Sequence, residues 1–185
     1  MTGSRNDSRF RVVADEPAWW GRRIGVAVLK VTAPDGSVLE REIVHHPGAV
    51  GVVPLHDDGT VTLVRQYRAA LDAEVWEVPA GLRDVADEPT AETARRELIE
   101  EAGLAADHVE HLTTFHNSPG FSDEAVEVFL ATGLTAVPDD RQGVEEENMV
   151  VSRVALAEAL AMVGDGRITD AKTVIGLLLT ARRAG

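Results

Sequence analysis

Apolar and polar positions alternate in short runs through the first half of the chain, and the first clear helical pattern begins at residue 89. Ile24 to Val31 is apolar and β-branched, Pro34-Asp35-Gly36 is a turn signal, and Val38 to Val44 alternates again, which predicts a hairpin. Further strands are expected at Ala49 to Pro54, Thr60 to Gln66 and Val75 to Val78, with Asp57-Asp58-Gly59 closing a tight turn. Pro89 to Ala102 reads as a helix, with Pro89 in the first turn, where a missing N–H is tolerated, and Gly103 at a left-handed C-cap. Beyond it a strand near His111 to Phe115, a Pro119-Gly120 turn and a strand at Ala125 to Leu130 are expected. A polar loop from Pro138 to Glu147 then leads to a short strand and to helices at Leu156 to Val163 and Asp170 to Arg182. Met1 to Asp15 is polar, and a frayed start is expected there. A strand-only part meets a mixed α/β part near Pro47, which suggests an N-terminal β subdomain at 1–46 and a main domain at 47–185.

Composition narrows the classes of function. The chain has 185 residues, 44% of them hydrophobic, enough for one ordinary globular domain with an appendage. Its 18 Lys and Arg stand against 31 Asp and Glu, a net charge of −13 that argues against nucleic acid or an anionic bilayer as partner. No apolar run is long enough to cross a membrane and no secretory leader is visible, so a cytoplasmic protein is expected. Cysteine is absent, so any metal must sit on oxygen or imidazole. The six histidines show no metal-ligand spacing, and His45-His46 reads as a strand end rather than a site.

Glu97, Glu100 and Glu101 stand at i, i+3 and i+4 on the expected helix and project from one face. Such like-charge pairs each oppose an isolated helix by about 0.2–0.5 kcal/mol. A hard divalent cation turns that repulsion into coordination, because magnesium and manganese prefer carboxylate oxygens. A solvated acidic edge of a surface helix would show the same three residues. The wider pattern separates the two readings: Gly81, six residues, Glu88, seven residues, then Arg96-Glu97-Leu98-Ile99-Glu100-Glu101-Ala102-Gly103-Leu104.

That string resembles the Nudix box, with one residue more than the strict spacing between Gly81 and Glu88. Asp87 occupies the strict position, so either acid can take the box's first acidic role. The resemblance implies an α/β Nudix fold, an α/β/α sandwich with a mixed sheet, preceded here by the small antiparallel β subdomain. It further implies hydrolysis of a nucleoside diphosphate linked to another moiety, with about two or three Mg2+ ions per site, Mn2+ being a possible substitute. By position, Glu97 and Glu101 would be the main metal ligands, Glu100 a further or water-mediated one, and Ala80 a ligand through its carbonyl. Arg96 would orient the glutamates, and Gly81 and Gly103 would permit the turns flanking the helix.

The flanks resemble the ADP-ribose pyrophosphatase group of that family. Pro119 stands sixteen residues after Gly103 within Ser118-Pro119-Gly120-Phe121-Ser122-Asp123-Glu124, Trp76-Glu77-Val78-Pro79-Ala80-Gly81 leads into the box, and Gln66-Tyr67-Arg68 closes a strand. The implied substrate contacts are Arg41 and Arg68 on the pyrophosphate, Trp20 or its neighbour Trp19 on the base, and Glu77, Pro119, Gly120 and Glu124 around them. The general base would be a loop glutamate, Glu146 by position, with Glu145 and Glu147 one residue away in register. Too few N-terminal strands exist to bury themselves, so a homodimer is expected, with strand exchange as one route to it. GDP-mannose, ADP-glucose or a nucleoside triphosphate remain alternative substrates, and a sensor that binds ADP-ribose without cleaving it remains a non-enzymatic alternative.

These motifs also locate the charge. Asp84 to Glu101 holds seven carboxylates against two arginines, Asp123 to Glu127 three against none, and Asp139 to Glu147 five against one. The surplus therefore collects in the segments expected to hold cations, and a small diphosphate that arrives with magnesium is compatible with it.

Overall fold

The computed structural model describes residues 9–139, 144 and 148–184. By contacts the chain separates into two compact units, one taking the chain up to Pro47 together with His116–Glu124, the other Gly48–Phe115 together with the chain from Ala125 onward.

The first unit is a three-stranded antiparallel sheet in sequence order, β1 (Arg11–Trp20), β2 (Gly25–Thr32) and β3 (Val38–His45). The hairpin expected around Pro34-Asp35-Gly36 is present, with Gly36 at φ 85 and Thr32 paired to Val38. The frayed start expected over Met1 to Asp15 is corrected in its later part, since from Arg11 the chain forms β1, which pairs with β2 from Arg11↔Thr32 to Trp20↔Gly25; residues 1–8 of that expectation lie outside the described residues. The ladder breaks register between Val12 and Ala14 and again between Pro17 and Trp19. Nearly the whole strand is exposed, including Val12, Val13, Trp19 and Trp20, so no alternation of buried and polar positions marks it.

The second unit contains two sheets. One has the order β10-β5-β6, from β5 (Thr60–Arg68), β6 (Ala73–Glu77) and β10 (Val150–Ala155), and the other the order β7-β4-β9-β8. The latter is mixed: β4 (Ala49–Pro54) runs antiparallel to the three-residue β7 (Ala80–Leu82) and parallel to β9 (Ala125–Ala136), with β8 (Leu104–His116) at the edge. Helix α1 (Thr90–Ala102) covers one face, and α2 (Leu156–Gly164) and α3 (Ala171–Ala184) the other.

Strand alternation in β4 divides the core between these faces. Val50 and Val52 pack with Ala94 and Leu98 of α1, whereas Val53 packs with Ala159, Met162 and Leu177 from the other two helices. Strand β9 follows the same rule, with Phe129 and Ala131 toward α1 and Val126 and Val128 toward α3. Leu98 is fully buried, and truncating it to Ala would cost about 2–5 kcal/mol. It thereby sets the rotation of α1, which turns Glu97 and Glu101 toward β7.

Candidate active site

Helix α1 begins after Pro89, which has extended φ and ψ and no side-chain cap, and ends at Gly103 in the left-handed region at φ 62. Its last two turns carry the glutamates. Glu97 and Glu101 are largely buried, 7% and 4% exposed, although both are carboxylates. The Ala80 N–H donates to Glu101 Oε2 at 2.9 Å. Gly81 lies so close to α1 that a Cβ there would fall inside the Glu97 carboxylate. Gly81 sits within β7 with no left-handed φ, so its glycine is required by this close approach and not by a turn, which corrects the sequence expectation for it. Only Gly103 serves as the expected turn glycine.

Arg96 meets Glu97 and Glu100 of the helix and Glu88 of the loop before it. Its guanidinium donates to Glu97 Oε1 at 2.7 Å, to Glu100 Oε2 at 3.1 Å and to Glu88 at 3.3 and 3.4 Å. Burial alone would lower its pKa, but its hydrogen bonds to Glu88 and the charges of Glu97 and Glu100 raise it well above the usual arginine value. The guanidinium therefore stays charged at any working pH. Glu88 also accepts from Thr93 Oγ1 at 2.8 Å, and its carboxyl is held below the ordinary range by Arg96 and Thr93. Asp87 takes a left-handed φ of 60, and the Glu88 N–H bonds back to the Val85 carbonyl. The extra residue of the loop is absorbed there, and Glu88 is the acid that meets Arg96.

A second cluster lies at the start of this same segment. Glu77, 1% exposed, accepts both hydrogen bonds of the Arg68 fork at 2.6 Å each and a further bond from Lys172. Lys172 also donates to Asp170 Oδ1 at 2.9 Å. Burial pushes the Glu77 carboxyl up, yet the hydrogen bonds and charges of Arg68 and Lys172 hold it below the ordinary range, and Arg68 is raised in turn by Glu77. Arg68 remains partly open to solvent. Lys172 and Asp170 belong to the start of α3 and carry no signal in the sequence that ties them to Glu77.

The other expected residues fall in the first unit. Arg41 lies on β3 opposite Leu29 and donates to the Glu40 carbonyl. Pro119 and Gly120 lie in the 118–122 turn, where the Phe121 and Ser122 N–H groups bond back to the Ser118 carbonyl. Glu124 accepts from Asn117 at 2.8 Å and lies 3.6 Å from His46 Nδ1. Trp20 is 66% exposed; its ring lies over Gly25, where any side chain would collide with it, and meets His45 edge-on with centroids 5.9 Å apart. Trp20, Arg22, Arg23, Ile24, His45 and His46 contribute to the lining of an open pocket of about 260 Å3. The hydrogen bond to Asp123, at 2.6 Å, raises the His45 pKa despite the opposing effect of burial. Glu146, with Glu145 and Glu147, lies outside the described residues.

The donor set on α1 suits a hard cation. It is built of carboxylates and one main-chain segment, it is largely removed from water, and the Arg96 guanidinium is outnumbered by the acids around it. Among the described residues no three acidic or imidazole side chains already stand in a coordinating arrangement, since Arg96 and the Ala80 N–H engage Glu97, Glu100 and Glu101 instead.

An α/β fold with a carboxylate-bearing helix against a strand with glycine at its centre defines a class, and comparison with known proteins gives the family. The NUDIX domain model matches residues 45–174, and the chain belongs to the Nudix family. It is 40% identical over 167 residues to the ADP-ribose pyrophosphatase of Bacillus subtilis, covering 90% of each chain. It is also 40% identical over 169 residues to the ADP-ribose pyrophosphatase of Mycobacterium tuberculosis, covering 91% of this chain and 82% of that one. A crystal structure of an ADP compounds hydrolase shares the fold at a TM-score of 0.82 and 23% identity, over 97% of this chain and 96% of that one.

Proposed function

We propose that the chain hydrolyses the pyrophosphate bond of ADP-ribose, or of a closely related ADP-sugar, with a divalent cation, ADP-ribose giving AMP and ribose 5-phosphate. The observation that carries this reading is the pair of buried glutamates, Glu97 and Glu101, closed around Ala80-Gly81. Likeness over about nine tenths of the chain to two ADP-ribose pyrophosphatases directs it to that substrate class.

Glu97, Glu101, Glu100 and the Ala80 carbonyl are the groups that would hold Mg2+. When bound, such cations neutralise the pyrophosphate and lower the pKa of water for attack on phosphorus. Arg96 orients Glu97 and Glu100 through its hydrogen bonds to both. Arg68 and Arg41 are the guanidinium donors assigned to the pyrophosphate, whose oxygens a planar fork fits better than an ammonium. Trp20 offers an exposed flat surface for the base, with Arg22 and Arg23 beside it. Glu146 takes the proton from the attacking water. The exposed apolar residues of β1 fit a homodimer, and the absence of cysteine fits a cytoplasmic setting.

A panel of ADP-ribose, ADP-glucose, GDP-mannose and nucleoside triphosphates with Mg2+ tests the proposal. ADP-ribose is expected to give the highest kcat/KM, with AMP among the products. Turnover of triphosphates alone would replace this reading with a triphosphate pyrophosphohydrolase.

A further inference from the structure

We propose that the N-terminal turn of α3 is a positioning device for the active site, and that Thr173 acts through the 78–81 backbone to place Glu97 and Glu101. This rests on the reading of those glutamates as metal ligands. Thr173 is fully buried, and its hydroxyl is committed twice: it donates to Asp170 Oδ2 at 2.6 Å and accepts from the Val78 N–H at 2.8 Å. Asp170 Oδ2 also accepts the Thr173 N–H at 2.9 Å, which fixes the first turn of α3.

From Val78 the restraint runs along the backbone. The Pro79 carbonyl accepts from the Val52 N–H at 2.9 Å, the Ala80 N–H is spent on Glu101, and Gly81 lies against the Glu97 carboxylate. Lys172, one residue before Thr173, holds Glu77 immediately upstream of Val78. Four consecutive residues, 78–81, are thus pinned in turn by α3, β4 and two catalytic-helix glutamates. The α3 end of that chain of contacts comes from residues 95 positions away in sequence. A shift at Val78 has no slack to absorb it before Glu101.

The test is Mn2+ binding to the full-length protein without substrate, followed by electron paramagnetic resonance, alongside steady-state kinetics. Thr173→Val keeps the volume and removes the acceptor. It is expected to remain folded by circular dichroism, to weaken Mn2+ binding and lower kcat by about 10- to 100-fold each, and to leave KM nearly unchanged. Thr173→Ser, which restores the hydroxyl, is expected to recover both. A folded Thr173→Val protein with wild-type Mn2+ affinity and kcat overturns the proposal, as does a Ser variant as impaired as the Val one. Lys172→Met tests the same device from the more exposed side, and unchanged Mn2+ affinity in it would likewise count against the proposal. If wild-type protein binds Mn2+ but leaves ADP-ribose intact, the substrate reading fails while the Mn2+ titration still decides this one.

Discussion

Two ionic clusters meet the same short segment of chain, and they differ in balance. Around Glu77 the charges pair off, Arg68 and Lys172 against Glu77 and Asp170. Around Arg96, among the described residues, one guanidinium faces Glu88, Glu97 and Glu100, with Glu101 beside them on the Ala80 N–H and within the field of Arg68. A balanced buried cluster can hold a fold together without help. A cluster richer in acids than in bases holds them at a cost, which a divalent cation would relieve. The two should therefore fail in different ways when disturbed.

Glu101→Gln should have the largest effect, lowering Mg2+-dependent turnover by more than the about 100-fold associated with outer contacts of a metal site. Its thermal midpoint should hold or rise, because a repulsive charge is removed; a folded variant with full activity would sink the ligand assignment. Glu77→Gln should lower stability more than Glu101→Gln does, with a smaller loss of Mn2+ affinity and turnover transmitted through its contacts with Lys172 and Arg68. Breaking a buried pair costs about 3–5 kcal/mol, and the lower end is expected because Arg68 can turn to water. Urea unfolding measures it, and a loss within experimental error would show the balanced cluster to be dispensable. Gly81→Ala is expected to cost about 1–3 kcal/mol by overpacking against Glu97, and to weaken Mg2+ activation as it displaces that carboxylate.

The smallest effect is on pH dependence. Glu88 has a lowered carboxyl pKa in the folded protein, so its contribution is complete above the ordinary glutamate range and is lost as pH falls through the lowered value. The gap in thermal midpoint between wild type and Glu88→Gln should accordingly shrink between about pH 5 and pH 3. A gap that stays constant over that range would show that Arg96 does not depend on the charge of Glu88.

The parts of the fold that could be read in advance are those with a period or a fixed spacing. Helix α1, its Gly103 cap and the face shared by Glu97, Glu100 and Glu101 follow from 3.6-residue geometry and from the box. Strand β1 escaped because nearly every side chain on it is exposed, so burial imposes no pattern on Arg11–Trp20. Strand β7 is three residues long, too short for alternation to register. Counting positions could not choose between Asp87 and Glu88, because the answer lies in the left-handed φ of Asp87, which turns the next residue toward Arg96. Lys172 and Thr173 were invisible for a different reason: their partners, Glu77 and Val78, are distant in sequence and are joined to them only by tertiary packing.

The place where α1 stops has a further consequence. Gly103 ends the helix directly after Glu100 and Glu101, and no basic residue stands in that last turn. The peptide dipoles sum to about half a negative charge at such a C-terminus, so the helix itself opposes the acids it carries. A cation seated there is drawn by the helix as well as by the carboxylates, and folding and ion binding become linked equilibria. At an ion concentration of about 100 times Kd, that linkage is worth about 2.7 kcal/mol. On the proposed reading, the resistance of this chain to unfolding would be set in part by the divalent-ion content of its surroundings.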